Sequence, residues 1–161
     1  MLFGDRPLSL QVMDSYKNLA FSTPPNISHS TRERIMAILT KIVLIDDDQD
    51  ICELLKMKVE GSGRFQVITS TRSDTAFELI KKEQPAIAIL DINMPRMHGV
   101  ELATLLAQDE QTAKIPILYL TGMVSPEEIN ELGGGHCLAT LISKQSPTAE
   151  LFAAIDGLLN P

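Results

Sequence analysis

The sequence has no tryptophan, and aromatic residues make up only 4% of its 161 positions. A core therefore has to be assembled from Ile, Leu, Val, Ala and Met instead of large rings. Cysteine is equally scarce: Cys52 and Cys137 are too few for a disulfide scaffold and fit a reducing compartment. No apolar run reaches the roughly 18 residues that a membrane-spanning helix needs. The opening MLFGDRPLSL places Asp5 and Arg6 where a secretory signal would carry its apolar stretch. Positive charge is also in deficit, with 14 Lys and Arg against 21 Asp and Glu and a net charge of −7. Such a balance disfavours nucleic acid and anionic membrane surfaces as direct partners. The expectation is a soluble, cytoplasmic protein.

What is present is ordinary globular material, 44% hydrophobic and 22% charged. The length suits one domain plus an extension. Residues 1–39 read as that extension, because STPPNISHSTRER is polar and lacks sustained periodicity. It is expected to be loosely ordered or to precede an internal start at Met36, with a short helix near residues 8–20. From residue 40 to 161 the pattern is regular. Five short apolar runs occur: KIVLID (41–46), FQVITS (65–70), AIAILD (86–91), IPILYLT (115–121) and CLATLIS (137–143). Runs that are apolar throughout, without alternation, fit strands covered on both faces.

The intervening segments have helical spacing. Ile51, Leu54, Leu55 and Val59 fall on one predicted face, and Ala76, Phe77 and Ile80 on another. Ser125-Pro126-Glu127-Glu128 combines an N-cap, a proline at the first helical position and a capping-box glutamate. Ser146-Pro147 repeats the cap and proline before a last helix of about 12 residues. Five β–α repeats with right-handed crossovers predict an α/β fold with a doubly wound parallel sheet.

In such a sheet the functional crevice lies at the carboxyl ends of the strands. The first run ends in Asp46-Asp47-Asp48, the third in Asp91 and the fourth in Thr121, and Lys144 follows the fifth. Clustered carboxylates repel one another and are reconciled by a hard divalent cation such as Mg²⁺. One of them can act as a nucleophile for phosphoryl transfer, with cation, lysine and hydroxyl neutralising the moving group. Taken one at a time these residues say little. A lone lysine is usually a surface group, a lone threonine a cap, and Asp48 and Asp50 suit the first turn of a helix. Their joint placement on one rim is what carries the reading. His98, His136 and Cys137 have no partners at metal-ligand spacing and are assigned no chemistry.

The motifs LIDDDQDI (44–51), ILDINMPRMHG (89–99), LYLTG (118–122) and LISK (141–144) resemble those of bacterial two-component response regulator receiver domains. The spacing agrees: 44 residues from Asp47 to Asp91, 30 more to Thr121 and 23 more to Lys144. The resemblance implies a flavodoxin-like five-stranded sheet in the order 2-1-3-4-5. It implies Asp91 as phosphoacceptor, and Asp46, Asp47, Asp91 and the Asn93 main-chain carbonyl as Mg²⁺ ligands. Thr121 becomes the switch hydroxyl and Lys144 the phosphoryl-binding lysine. Pro95 and Gly99 match the loop after the acceptor strand, where Gly99 is expected to supply a backbone angle other residues resist.

The implied partners are a sensor histidine kinase or phosphotransfer protein and a downstream protein target. A stand-alone receiver is expected, which is not an enzyme except in its own phosphorylation and dephosphorylation. Three positions depart from the family pattern. Leu141 stands where an aromatic is usual, Gln145 replaces the proline after the lysine, and Gly133-Gly134-Gly135 interrupts the helix predicted from Ser125. A non-proline residue after Lys144 predicts a trans bond there and a rearranged loop. A phosphatase of the haloacid dehalogenase type would need a second Asp where Asn93 stands. A phosphorylation-independent interaction module is the alternative that Leu141 and Gln145 leave open.

Overall fold

The computed structural model describes residues 39–122 and 139–160. The expectations for residues 1–38, the Ser125 helix start, the triple glycine, His136 and Cys137 lie outside them. Within the described residues the apolar runs form strands β1 (Thr40–Ile45), β2 (Phe65–Ser70), β3 (Ile87–Asp91), β4 (Ile117–Thr121) and β5 (Ala139–Ser143). They form one parallel sheet in the order β2-β1-β3-β4-β5, as the family resemblance implied. Helices α1 (Gln49–Glu60), α2 (Ala76–Glu83), α3 (Gly99–Gln108) and α4 (Thr148–Leu159) cover it, with a 3-10 turn at Ser73–Thr75 before α2.

Strand alternation divides the core into two layers, since successive side chains point to opposite faces. Ile42 and Leu44 of β1 lie with Cys52, Leu55 and Val59 of α1 and Leu151, Ile155 and Leu158 of α4. Val43 and Ile45 lie with Ala76 and Ile80 of α2 and Leu102, Ala103 and Leu106 of α3. Burial on both faces explains why these strands read as continuous apolar runs.

Two local readings are corrected. The buried stripe of α1 is Cys52, Leu55 and Val59, flanked by partly buried Ile51, whereas Leu54 is 42% exposed. At 3.6 residues per turn Leu54 sits about 100° round from Leu55, off the centre of that stripe. At α4 the N-cap is Pro147, not Ser146, and no side-chain cap bond forms there. The Ser146 N–H is used in a turn to the Ser143 carbonyl, and the Pro147 carbonyl accepts from Glu150 and Leu151. The opposite holds at α1, where Asp48 is the N-cap and accepts from the Asp50 and Ile51 N–H groups at 2.9 and 3.3 Å. The Lys144–Gln145 bond is trans, as expected, since the described residues contain no cis peptide.

Candidate functional site

Parallel register brings the strand ends to one rim. Asp91 closes β3 opposite Leu120, and Thr121, the last residue of β4, pairs with Ser143 of β5. Asp46 follows β1 directly and is anchored by its N–H on the Ser70 carbonyl of β2 at 3.2 Å. Lys144 is fixed by its own N–H, which donates to the Thr121 carbonyl at 2.8 Å. The backbone ladder thus places Asp46, Asp91, Thr121 and Lys144 at this edge.

The side chains then meet. Lys144 Nζ lies 2.7 Å from Asp46 Oδ2 and 3.2 Å from Asp91 Oδ2, bridging two carboxylates that are almost wholly buried. Asp46 Oδ1 accepts from the Asp48 N–H at 3.0 Å. Asp46 Oδ2 has the Lys144 ammonium as its charge partner. Asp46, Asp47 and Asp91 each offer a carboxylate oxygen within 4.8 Å of the others, with Asp47 exposed. Three converging hard oxygen donors suit Mg²⁺, a hard cation that takes oxygen ligands and keeps several of its waters. Among the described residues the buried Thr121 hydroxyl has no hydrogen-bond partner, so a ligand oxygen reaching it would supply one. The rim opens into a cleft of about 530 Å³ lined by Asp47, Asp48, Asp91, Asn93, Gly122, Lys144 and Gln145.

Electrostatics follow from this crowding. Burial, and then the charge of Asp46, hold the Asp91 carboxyl above its ordinary range. Lys144 and a backbone hydrogen bond from Asn93 work in the opposite direction. For Lys144 burial acts to lower the ammonium's pKa. The hydrogen bond and charge of Asp46, with those of Asp91, outweigh it and leave the group raised. Cys52 is buried beneath the site and its thiol donates to the Asp46 carbonyl at 3.4 Å. Burial, with the Asp46 charge, pushes that thiol up to about 11, so it is held as a structural group.

All six residues singled out in the sequence, Asp46, Asp47, Asp91, Asn93, Thr121 and Lys144, therefore lie on one rim. Gly99 has a different reason from the one expected. Its φ is not in the left-handed region; a Cβ there would sit 2.2 Å from the Asp91 carbonyl oxygen and 3.2 Å from Ile92 Cα. The positive angle in this loop belongs to Arg96, at φ 72°. Leu141, at the position of the usual aromatic, is partly buried against the layer that contains Tyr119. Sequence reasoning missed Ser73, which is buried and donates its hydroxyl to the Pro95 carbonyl at 2.6 Å. No local signal marks that contact, because its partner is 22 residues away.

The family model of the response regulator receiver domain matches residues 42–156. The phosphate regulon transcriptional regulatory protein PhoB of Rhizobium meliloti is 32% identical over 126 residues, covering 76% of this chain and 53% of its own length. The alkaline phosphatase synthesis transcriptional regulatory protein PhoP of Bacillus subtilis is 34% identical over 94 residues, which is 58% of this chain and 37% of that protein. This chain thus spans about half, or less, of these relatives. Among solved structures, the chemotaxis protein CheY4 of Vibrio cholerae superposes with a TM-score of 0.68 at 25% identity, covering 75% of this chain and 99% of that one. The BeF3-activated N-terminal receiver domain of Klebsiella pneumoniae RstA gives 0.62 at 30% identity, over 75% and 99%.

Proposed function

The chain belongs to the response regulator receiver family, and on that premise we propose that Asp91 accepts a phosphoryl group from a phosphohistidine donor. The single observation that supports this best is Lys144, whose ammonium bridges the buried Asp46 and Asp91 at the carboxyl edge of the sheet. A buried carboxylate beside a fixed cation and a hydroxyl without a partner among the described residues has the parts that in-line phosphoryl transfer uses.

An Asp91 carboxylate oxygen attacks phosphorus. A P–O bond to the carboxylate forms, the P–N bond to the donor imidazole breaks, and the imidazole leaves with the bonding pair. Lys144 and the Thr121 hydroxyl contact oxygens of the transferred group and disperse its charge. Asp46, Asp47 and the Asn93 carbonyl, with Asp91 itself, would hold Mg²⁺, which when bound supplies charge neutralisation at the phosphoryl oxygens. Water later attacks the same phosphorus, releasing inorganic phosphate and restoring the carboxylate. The domain is thus a signalling module that catalyses only its own modification.

Its partners in this reading are a sensor histidine kinase or phosphotransfer protein upstream and a protein target downstream. Direct contact with nucleic acid is disfavoured by the net charge of −7. A cytoplasmic location goes with this reading, and no described helix is long and apolar enough to cross a membrane. A second reading, a receiver fold that binds partners without phosphorylation, is favoured by Leu141 and Gln145 at positions where the family usually has an aromatic and a proline.

The test is chemical. After incubation with acetyl phosphate and Mg²⁺, borohydride reduces an acyl phosphate to the alcohol. Peptide mapping is expected to find homoserine in place of aspartate at position 91. Reduction at another aspartate, or at none, sinks the assignment and leaves the second reading.

A further inference from the structure

The loop that carries Asn93 is held from outside its own backbone. Ile92 donates to the Leu120 carbonyl at 3.1 Å, and Gly99 closes the loop by donating to the Ile92 carbonyl at 3.0 Å. Between those anchors, residues 93–97 make no backbone–backbone hydrogen bond among the described residues. Pro95 lacks an N–H to contribute, and Arg96 sits at φ 72°, where a non-glycine residue stays only if its surroundings enforce it.

Side-chain ties replace the missing backbone bonds, beginning with the Asp91 carboxylate, which accepts from the Asn93 N–H. Met94 is buried in the α2–α3 layer. The buried Ser73 hydroxyl donates to the Pro95 carbonyl at 2.6 Å, and Asp74 accepts from Arg96 at 3.2 Å. Asp74 is itself steadied by Arg72 at 2.9 Å. Asn93 itself stays exposed and lines the cleft beside Asp91. Ser73 and Asp74 belong to the 3-10 turn after β2, so one loop clamps the next.

We propose that Ser73 is a positioning residue: by gripping the Pro95 carbonyl it holds the Asn93 main chain at the cleft, in place to bind Mg²⁺. The inference rests on the reading of Asp46, Asp47, Asp91 and Asn93 as the metal ligands. Ser73 touches neither metal nor substrate. Its effect is therefore on metal affinity and not on the transfer step once metal is bound. Partners of this outer kind typically contribute about 10–100-fold to metal affinity.

The experiment is calorimetric titration of the full chain with Mg²⁺ alone, on the wild type, Ser73→Ala, Ser73→Thr and Asp46→Asn. Ser73→Ala is expected to weaken Mg²⁺ binding about tenfold, at the lower end of that range, while Ser73→Thr, which keeps the hydroxyl, stays within about twofold. Labelling of Ser73→Ala by acetyl phosphate is expected to be slow at limiting Mg²⁺ and to recover at saturating Mg²⁺. Unchanged Mg²⁺ affinity in Ser73→Ala overturns the positioning role alone. So does an equal loss in Ser73→Thr, which would trace the effect to buried volume, and so does slow labelling that saturating Mg²⁺ leaves uncorrected. A wild type that binds no Mg²⁺, or binds it equally well with Asp46→Asn, overturns the metal site and the positioning role together.

Discussion

Replacing Gly99 with alanine is expected to destabilise the domain by about 3 kcal/mol, the upper end of the usual range for overpacking. The added Cβ would fall 2.2 Å from the Asp91 carbonyl oxygen and 3.0 Å from its carbon. Those atoms belong to the backbone at the end of β3, pinned by the pairing of Asp91 with Leu120, so they cannot yield as a flexible side chain would. The strain has two outlets. Either the start of α3 lifts from the sheet, opening the bond from the Gly99 N–H to the Ile92 carbonyl, or the end of β3 moves and carries Asp91 out of reach of Lys144. Urea unfolding measures the loss, and a stability within about 0.5 kcal/mol of wild type would contradict the packing argument. A bulkier residue, as in Gly99→Val, is expected to be worse.

Lys144→Ala is the second large effect. The ammonium is the cation bridging two carboxylates whose side chains are 0% and 4% exposed. Removing one partner of a fully buried pair costs roughly 3–5 kcal/mol. Lys144 keeps 17% exposure, and Asp91, already held above the ordinary range by burial and then by Asp46, can relieve the repulsion by taking up a proton. The expected loss is therefore smaller, about 2–3 kcal/mol without Mg²⁺. Added Mg²⁺ should restore more stability to the variant than it adds to the wild type, because it meets a site with one positive charge fewer. Denaturation with and without Mg²⁺ measures both effects. A variant as stable as wild type without metal would mean that the bridge carries little of the site's electrostatics.

Much of this arrangement was legible before the structure. The five strands lie within two residues of the apolar runs over the described residues, because burial on both faces leaves an unambiguous signal. Strand ends carrying Asp46, Asp91 and Thr121 could be placed on one rim, since parallel topology puts every carboxyl end at the same edge. Other features were not legible, each for a physical reason. The Ser146-Pro147 pair reads as a cap followed by the first helical residue. A turn engages the Ser146 N–H, however, and shifts the helix start by one position.

Gly99 reads as a conformational glycine, but its constraint is the proximity of the end of β3, which no local pattern encodes. Leu54 reads as core by spacing and is exposed, because the stripe is centred on Cys52, Leu55 and Val59. Ser73 and Asp74 look like ordinary turn residues. Their partners, Pro95 and Arg96, lie 22 positions downstream and become neighbours only once β1 and β3 are paired.

The most direct test of the central claim is the intact mass of the chain after incubation with acetyl phosphate, compared with Asp91→Asn. The account predicts a gain of one phosphoryl group in the wild type, absent in the variant and absent when Mg²⁺ is removed. A gain that persists in Asp91→Asn, or no gain in a wild type that also fails to bind beryllofluoride, would contradict it.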